Sequence, residues 1–115
     1  MKYALLIYED EKVYGSDKSG PVMQEIFGRH MAFQKELGDR RVGGAGLKHT
    51  NTATTVRTQG GKQTIHDGPF GETKEQLGGF YLIDVPDLDA AIAYAKKLPI
   101  IERGSVEIRP LLEVE

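Results

Sequence analysis

Lys2-Tyr3-Ala4-Leu5-Leu6-Ile7-Tyr8 decides the fold, because a strand over these residues is apolar on both faces. Side chains alternate across a strand, so Tyr3, Leu5 and Ile7 point one way and Ala4, Leu6 and Tyr8 the other. Such a strand needs cover on both sides. Phe80-Tyr81-Leu82-Ile83, inside a strand expected over residues 79–85, has the same property. Two helices returning to one side of a small sheet would cover only one of these faces.

The chain supplies two such helices. Pro21 suits a first helical position, where its missing N–H costs nothing. Met23, Ile26, His30, Phe33 and Leu37 then recur at spacings of three and four, giving one helix face that ends near Gly38. Gly28 inside this helix costs about 1 kcal/mol against alanine, which predicts a close neighbour or a bend. In the second helix Asp87 is the expected N-cap. Asp89 near its start and Lys96 and Lys97 near its end complement the helix dipole. Leu88, Ala91, Ile92, Ala95 and Leu98 form its apolar stripe, and Pro99 ends it.

The remaining segments complete the order. Residues 9–20 read as a polar loop, and the glycine-rich residues 42–47 as a turn leading into a short strand. Residues 52–58 and 63–66 flank Gly60-Gly61 and predict a hairpin. The last strand, 105–111, points Val106 and Ile108 inward. This is a ferredoxin-like plait of the α+β class, with an extra hairpin inserted. Its bare apolar sheet face predicts an interface. The simplest closure is a second copy packed sheet to sheet, giving a homodimer that forms a dimeric α/β barrel.

Composition narrows the function classes. A chain of 115 residues holds one core, hence one domain over 1–115. A net charge of −2 without a Lys/Arg cluster gives no footprint for nucleic acid. The absence of cysteine removes disulfides and thiol nucleophiles. The N-terminus turns acidic after eight residues, too early for a signal sequence, and no run is long enough for a membrane span. A soluble cytoplasmic protein is the expectation. His30, His49 and His66 lack metal-ligand spacing, so no metal or other cofactor is expected.

Asp67-Gly68-Pro69-Phe70-Gly71-Glu72-Thr73-Lys74-Glu75-Gln76-Leu77-Gly78-Gly79-Phe80 places a carboxylate where a strand runs into a forced turn. With Thr55-Val56-Arg57 upstream, and Val85-Pro86-Asp87-Leu88-Asp89-Ala90-Ala91 and Gly104-Ser105-Val106-Glu107-Ile108-Arg109-Pro110 downstream, this stretch resembles the YCII-related family in its DGPF-domain branch. The resemblance covers nearly the whole chain. It implies a dimeric ferredoxin-like α/β barrel and an active site built on one histidine and one aspartate, which fall on His30 and Asp67. Gly71 stands where an alanine is common, and residues 43–51 match loosely, so the resemblance specifies a site more firmly than a substrate.

His30 and Asp67 are therefore the candidate catalytic residues. An imidazole changes charge near neutral pH, and a carboxylate within reach would orient its ring. The pair would then serve as general base and general acid in turn. The competing readings are a satisfied core histidine and an aspartate that only bonds its own turn. Arg57, Phe70 and Lys74 are candidates for substrate binding; a solvated cation, a loop anchor and a solubilising charge are their structural alternatives. His49, in a polar loop, is expected to be solvated. His66 adjoins Asp67 on a strand and points to the opposite face. The first functional expectation is a cofactor-independent enzyme moving a proton on a small-molecule substrate, in elimination, lyase or isomerase-like chemistry. A non-catalytic small-molecule-binding or regulatory module is the alternative. A cofactor-free oxygenase on the same barrel is the third possibility, and fold alone does not separate them.

Overall fold

The computed structural model describes residues 1–15, 19–100 and 103–113. Strand β1 (Lys2–Glu9) pairs antiparallel with β5 (Gln76–Asp84) on one side and with β6 (Ser105–Pro110) on the other. Strand β2 (Arg41–Gly46) lies antiparallel along the far edge of β5, giving the order β2-β5-β1-β6. The two strands whose sequences are apolar on both faces thus hold the two central positions. Edge strands need no such pattern.

Helices α1 (Pro21–Leu37) and α2 (Leu88–Lys97) contribute to one core with a single face of the sheet. Tyr3, Leu5, Ile7, Tyr81 and Ile83 meet Phe33 and Leu37 from α1 and Ala91 and Ala95 from α2. Leu5 opposes Tyr81 on one side and Ile108 on the other, so Val106 and Ile108 extend the same layer. The Asp87 carboxylate accepts from Ala90 N at 2.9 Å, capping α2 as its sequence requires. On the opposite face Leu6 pairs with Phe80 and Ala4 with Leu82. Leu6, Tyr8, Phe80 and Leu82 remain only half-buried there.

The inserted hairpin forms a sheet of its own, β3 (Thr54–Gln59) with β4 (Lys62–Asp67). Gly60 and Gly61 carry φ of 58° and 77°, the left-handed pair that a two-residue turn of matching twist demands. Among the described residues, the substantial packing of these two strands is with each other. Val56 faces Ile65 across the pair, and both are largely exposed, at 59% and 76%.

Several segments differ from their sequence reading. The glycine-rich run is itself edge strand β2 rather than a turn before one. Gly44 adopts φ +136°, and a Cβ there would fall 2.5 Å from the Phe80 carbonyl oxygen, so only glycine allows the approach to β5. Gly28 has open space around it, so no close neighbour accounts for it. Leu88 is exposed at the start of α2 instead of joining its buried stripe. The polar segment after β1 is no solvated loop at its beginning. Glu9, Asp10 and Glu11 are all buried, and Glu11–Tyr14 forms a 3-10 turn capped by Asp10. Among the described residues no helix is long and apolar enough to cross a membrane.

Candidate functional site

His30 sits on the third turn of α1, on the stripe that faces the sheet, beside the open end of the core. Its Nδ1 lies 2.8 Å from the Tyr81 hydroxyl of β5, and the two rings stack with centroids 5.8 Å apart. Gln34, one turn further along α1, donates from Nε2 to the same hydroxyl at 3.2 Å. Accepting from Gln34 leaves the Tyr81 O–H able to donate to His30 Nδ1, the arrangement in which the ring carries its proton on Nε2. Burial lowers the His30 pKa and raises that of Tyr81. Both groups are therefore neutral at physiological pH, a base and a phenol in hydrogen-bond contact.

These residues line a small pocket of about 160 Å³ between α1 and the β5–β2 edge. Ile7, Ile26 and Phe27 give it apolar walls, while Glu9, Tyr14 and Arg41 add polar groups. The Arg41 guanidinium lies 5.7 Å from the centroid of the Tyr81 ring. Tyr14 donates to the Glu9 carboxylate at 2.6 Å, and burial together with this carboxylate holds its phenol well above the usual range. The Glu9 side chain occupies the space that a Cβ at Gly78 would take, so the bulge between β1 and β5 admits the acid.

Asp67 lies elsewhere. It ends β4, exposed, opposite Thr54 of β3. Among the described residues no hydrogen bond or ion pair joins it to His30, and it is not among the residues lining the His30 pocket. The turn it opens is fixed by backbone bonds. Gly68 N donates to Ala53 O at 2.7 Å, and Thr55 Oγ1 donates to Gly68 O at 2.7 Å. The Arg57 guanidinium donates to the Phe70 carbonyl, so it fastens the turn to the hairpin.

Phe70 and Lys74 face a second, wider cleft of about 950 Å³ at the base of the hairpin, bounded by Tyr8, Thr50, Thr55 and Leu77. His49 lines it too, and its surroundings correct the expectation of a solvated ring. The side chain is mostly buried, with Nδ1 3.3 Å from the Glu11 carboxylate. Among the described residues no three or more His, Asp or Glu side chains are grouped to hold a metal ion.

The sequence pointed to His30 but not to Tyr81, Gln34 or Arg41, which line the same pocket. The spacing of Gln34 from His30, one helical turn, was the available signal. Tyr81 reads as a core residue, which it also is. The run Glu9-Asp10-Glu11 directly after an apolar strand was the sign of buried acids, but only cross-chain contacts show where they point.

The family model for the YCII-related domain matches residues 1–115. An uncharacterised protein of Rhizobium meliloti (strain 1021) is 40% identical over 118 residues, an alignment spanning 96% of this chain and 92% of the relative. With its plait, its inserted hairpin and its helix-borne histidine, the chain belongs to the YCII-related family.

Proposed function

We propose that the pocket beneath α1 is an acid–base site in which His30 exchanges a proton with a small organic substrate. The observation that carries this reading is the contact of His30 Nδ1 with the Tyr81 hydroxyl at 2.8 Å, at the wall of an apolar pocket. A neutral imidazole is free to accept a proton. The Tyr81 hydroxyl passes its own proton to Nδ1 as it takes up the substrate's, and the reverse transfer restores both groups. Gln34 holds the Tyr81 oxygen during the exchange. Arg41 gives the pocket a cation for a substrate that carries or develops negative charge.

Self-association belongs to this reading. The chain exposes 7999 Å² at a mass of 12.7 kDa, against about 6,200 Å² for a compact monomer of that mass. The surplus, about 1,800 Å², is twice what one partner covers in a standard interface. Half-buried Leu6, Phe80 and Leu82 supply the apolar face for a sheet-to-sheet homodimer closing the barrel. Within one chain Asp67 stands apart from the pocket, so its part as the site's carboxylate depends on a second copy bringing the hairpin to it.

Hydrogen–deuterium exchange at carbon tests this across a panel of compounds, with no single substrate assumed. Small carbonyl and carboxylic compounds that bind are incubated with the protein in D2O, and deuterium incorporation at carbon is followed by NMR. Catalysed exchange that is lost in His30→Asn, with the fold intact, supports the reading. Binding without exchange in any compound leaves a binding module instead.

A further inference from the structure

We propose that the cleft at the base of the hairpin is a second site, independent of His30, which binds aromatic hydroxyl compounds of the phenol class through His49 Nε2. The Glu11 carboxylate stands behind the histidine. Glu11 is buried, accepts from Thr50 N at 2.9 Å and from Thr50 Oγ1 at 2.5 Å, and lies 3.3 Å from His49 Nδ1. A carboxylate facing Nδ1 favours the tautomer that carries its proton there, because a bare ring nitrogen would set two lone pairs against each other. Nε2 is then the acceptor.

That acceptor is unused. His49 Nε2 is buried and has no hydrogen-bond partner. A buried polar atom left unpaired costs about 1–3 kcal/mol, and a donor arriving from the cleft would recover part of it. The surrounding residues state what kind of donor fits. Tyr8, Leu47, Pro69, Phe70 and Leu77 give broad apolar and aromatic walls, which favour a flat ring. Lys48 and Lys74 are offset by Glu75 and Glu107, so the lining charge selects for neither an anion nor a cation. The cleft, about 950 Å³, is at the upper end of small-molecule sites, with room for more than one ring. A phenol joins the two features: its ring fills the walls and its O–H points at Nε2.

On binding, the phenol O–H donates to Nε2, while the ring's own proton stays on Nδ1 against the Glu11 carboxylate. Reaching Nε2 takes a small movement of the cleft wall, since the atom itself is shielded in the free chain.

The probe is 4-nitrophenol, whose phenolate is yellow, titrated into the full chain at a pH below the compound's own pKa. The expected result is saturable binding with a shift of the nitrophenol band to longer wavelength as its O–H donates. His49→Gln and Glu11→Gln each weaken it by about tenfold, roughly the loss of one hydrogen bond. Should those variants fold poorly, the wild-type chain decides by NMR. It has 3 histidines, and saturation must shift the ring signals of His49 while leaving those of His30 in place. No saturable binding, binding indifferent to His49→Gln, or shifts at His30 instead would overturn the proposal. A failure here leaves the His30 reading standing, because the two rings report separately.

Discussion

The Tyr81 hydroxyl reaches across from β5 to within 2.8 Å of His30 Nδ1 on α1, and their rings lie 21° from parallel. A core tyrosine thereby becomes the partner of the histidine singled out by its helix. Phe33 meets the same Tyr81 ring edge-on at 5.2 Å, so the phenol is held from two directions. Tyr81→Phe keeps the ring packing and removes only the oxygen. The proton exchange proposed for His30 should fall by at least about tenfold, with thermal stability close to wild type. Comparing exchange rate with melting temperature checks this.

Burial of His30 makes stability depend on pH in a stated direction. Its pKa is lowered from 6.5 by desolvation, so the unfolded chain binds the proton more tightly. Stability from this group is therefore complete above 6.5, is lost as pH falls below it, and levels off once the folded ring is also protonated. Melting temperatures should decline more steeply below that point in wild type than in His30→Asn. Equal slopes would show the ring to be solvated.

Asp67 has a test that needs no substrate. If an assembled hairpin sets its carboxylate against His30, Asp67→Asn removes a stabilising charge from the imidazolium. The His30 NMR titration midpoint should then move to lower pH. An unchanged midpoint would assign Asp67 to its turn alone.

Leu82 tests the self-association. It lies half-buried on the sheet face turned away from the helices, opposite Ala4. Leu82→Glu places a charge on that face and should convert a dimer to a monomer in sedimentation, with the helix-side core retained. Wild-type sedimentation at the monomer mass would remove the premise.

Two glycines should respond oppositely to alanine. Gly44→Ala forces a Cβ against the Phe80 carbonyl at a φ that L-residues avoid, and should cost about 2 kcal/mol or more. Gly28→Ala meets open space within α1 and should stabilise by about 0.5–1 kcal/mol. Urea denaturation of the two variants measures both.

The plait was legible because its signals are local or periodic. An apolar run on both faces marks a central strand, stripes at helical spacing mark α1 and α2, and Gly60-Gly61 marks the hairpin turn. The Asp87 cap and the inward Val106 and Ile108 followed from the same rules. Of the candidate site, only His30 stood out in the sequence, because its position on a helix face aims it at the sheet. Its contact with Tyr81 depends on strand register, which brings together residues 51 apart in the chain. The burial of Glu9, Asp10 and Glu11 was decided the same way. Their type predicts solvent exposure, and only tertiary partners, Tyr14 for Glu9 and Thr50 with His49 for Glu11, make burial affordable. Local preference sets which elements form, whereas the pairing of polar groups from distant segments depends on how those elements pack.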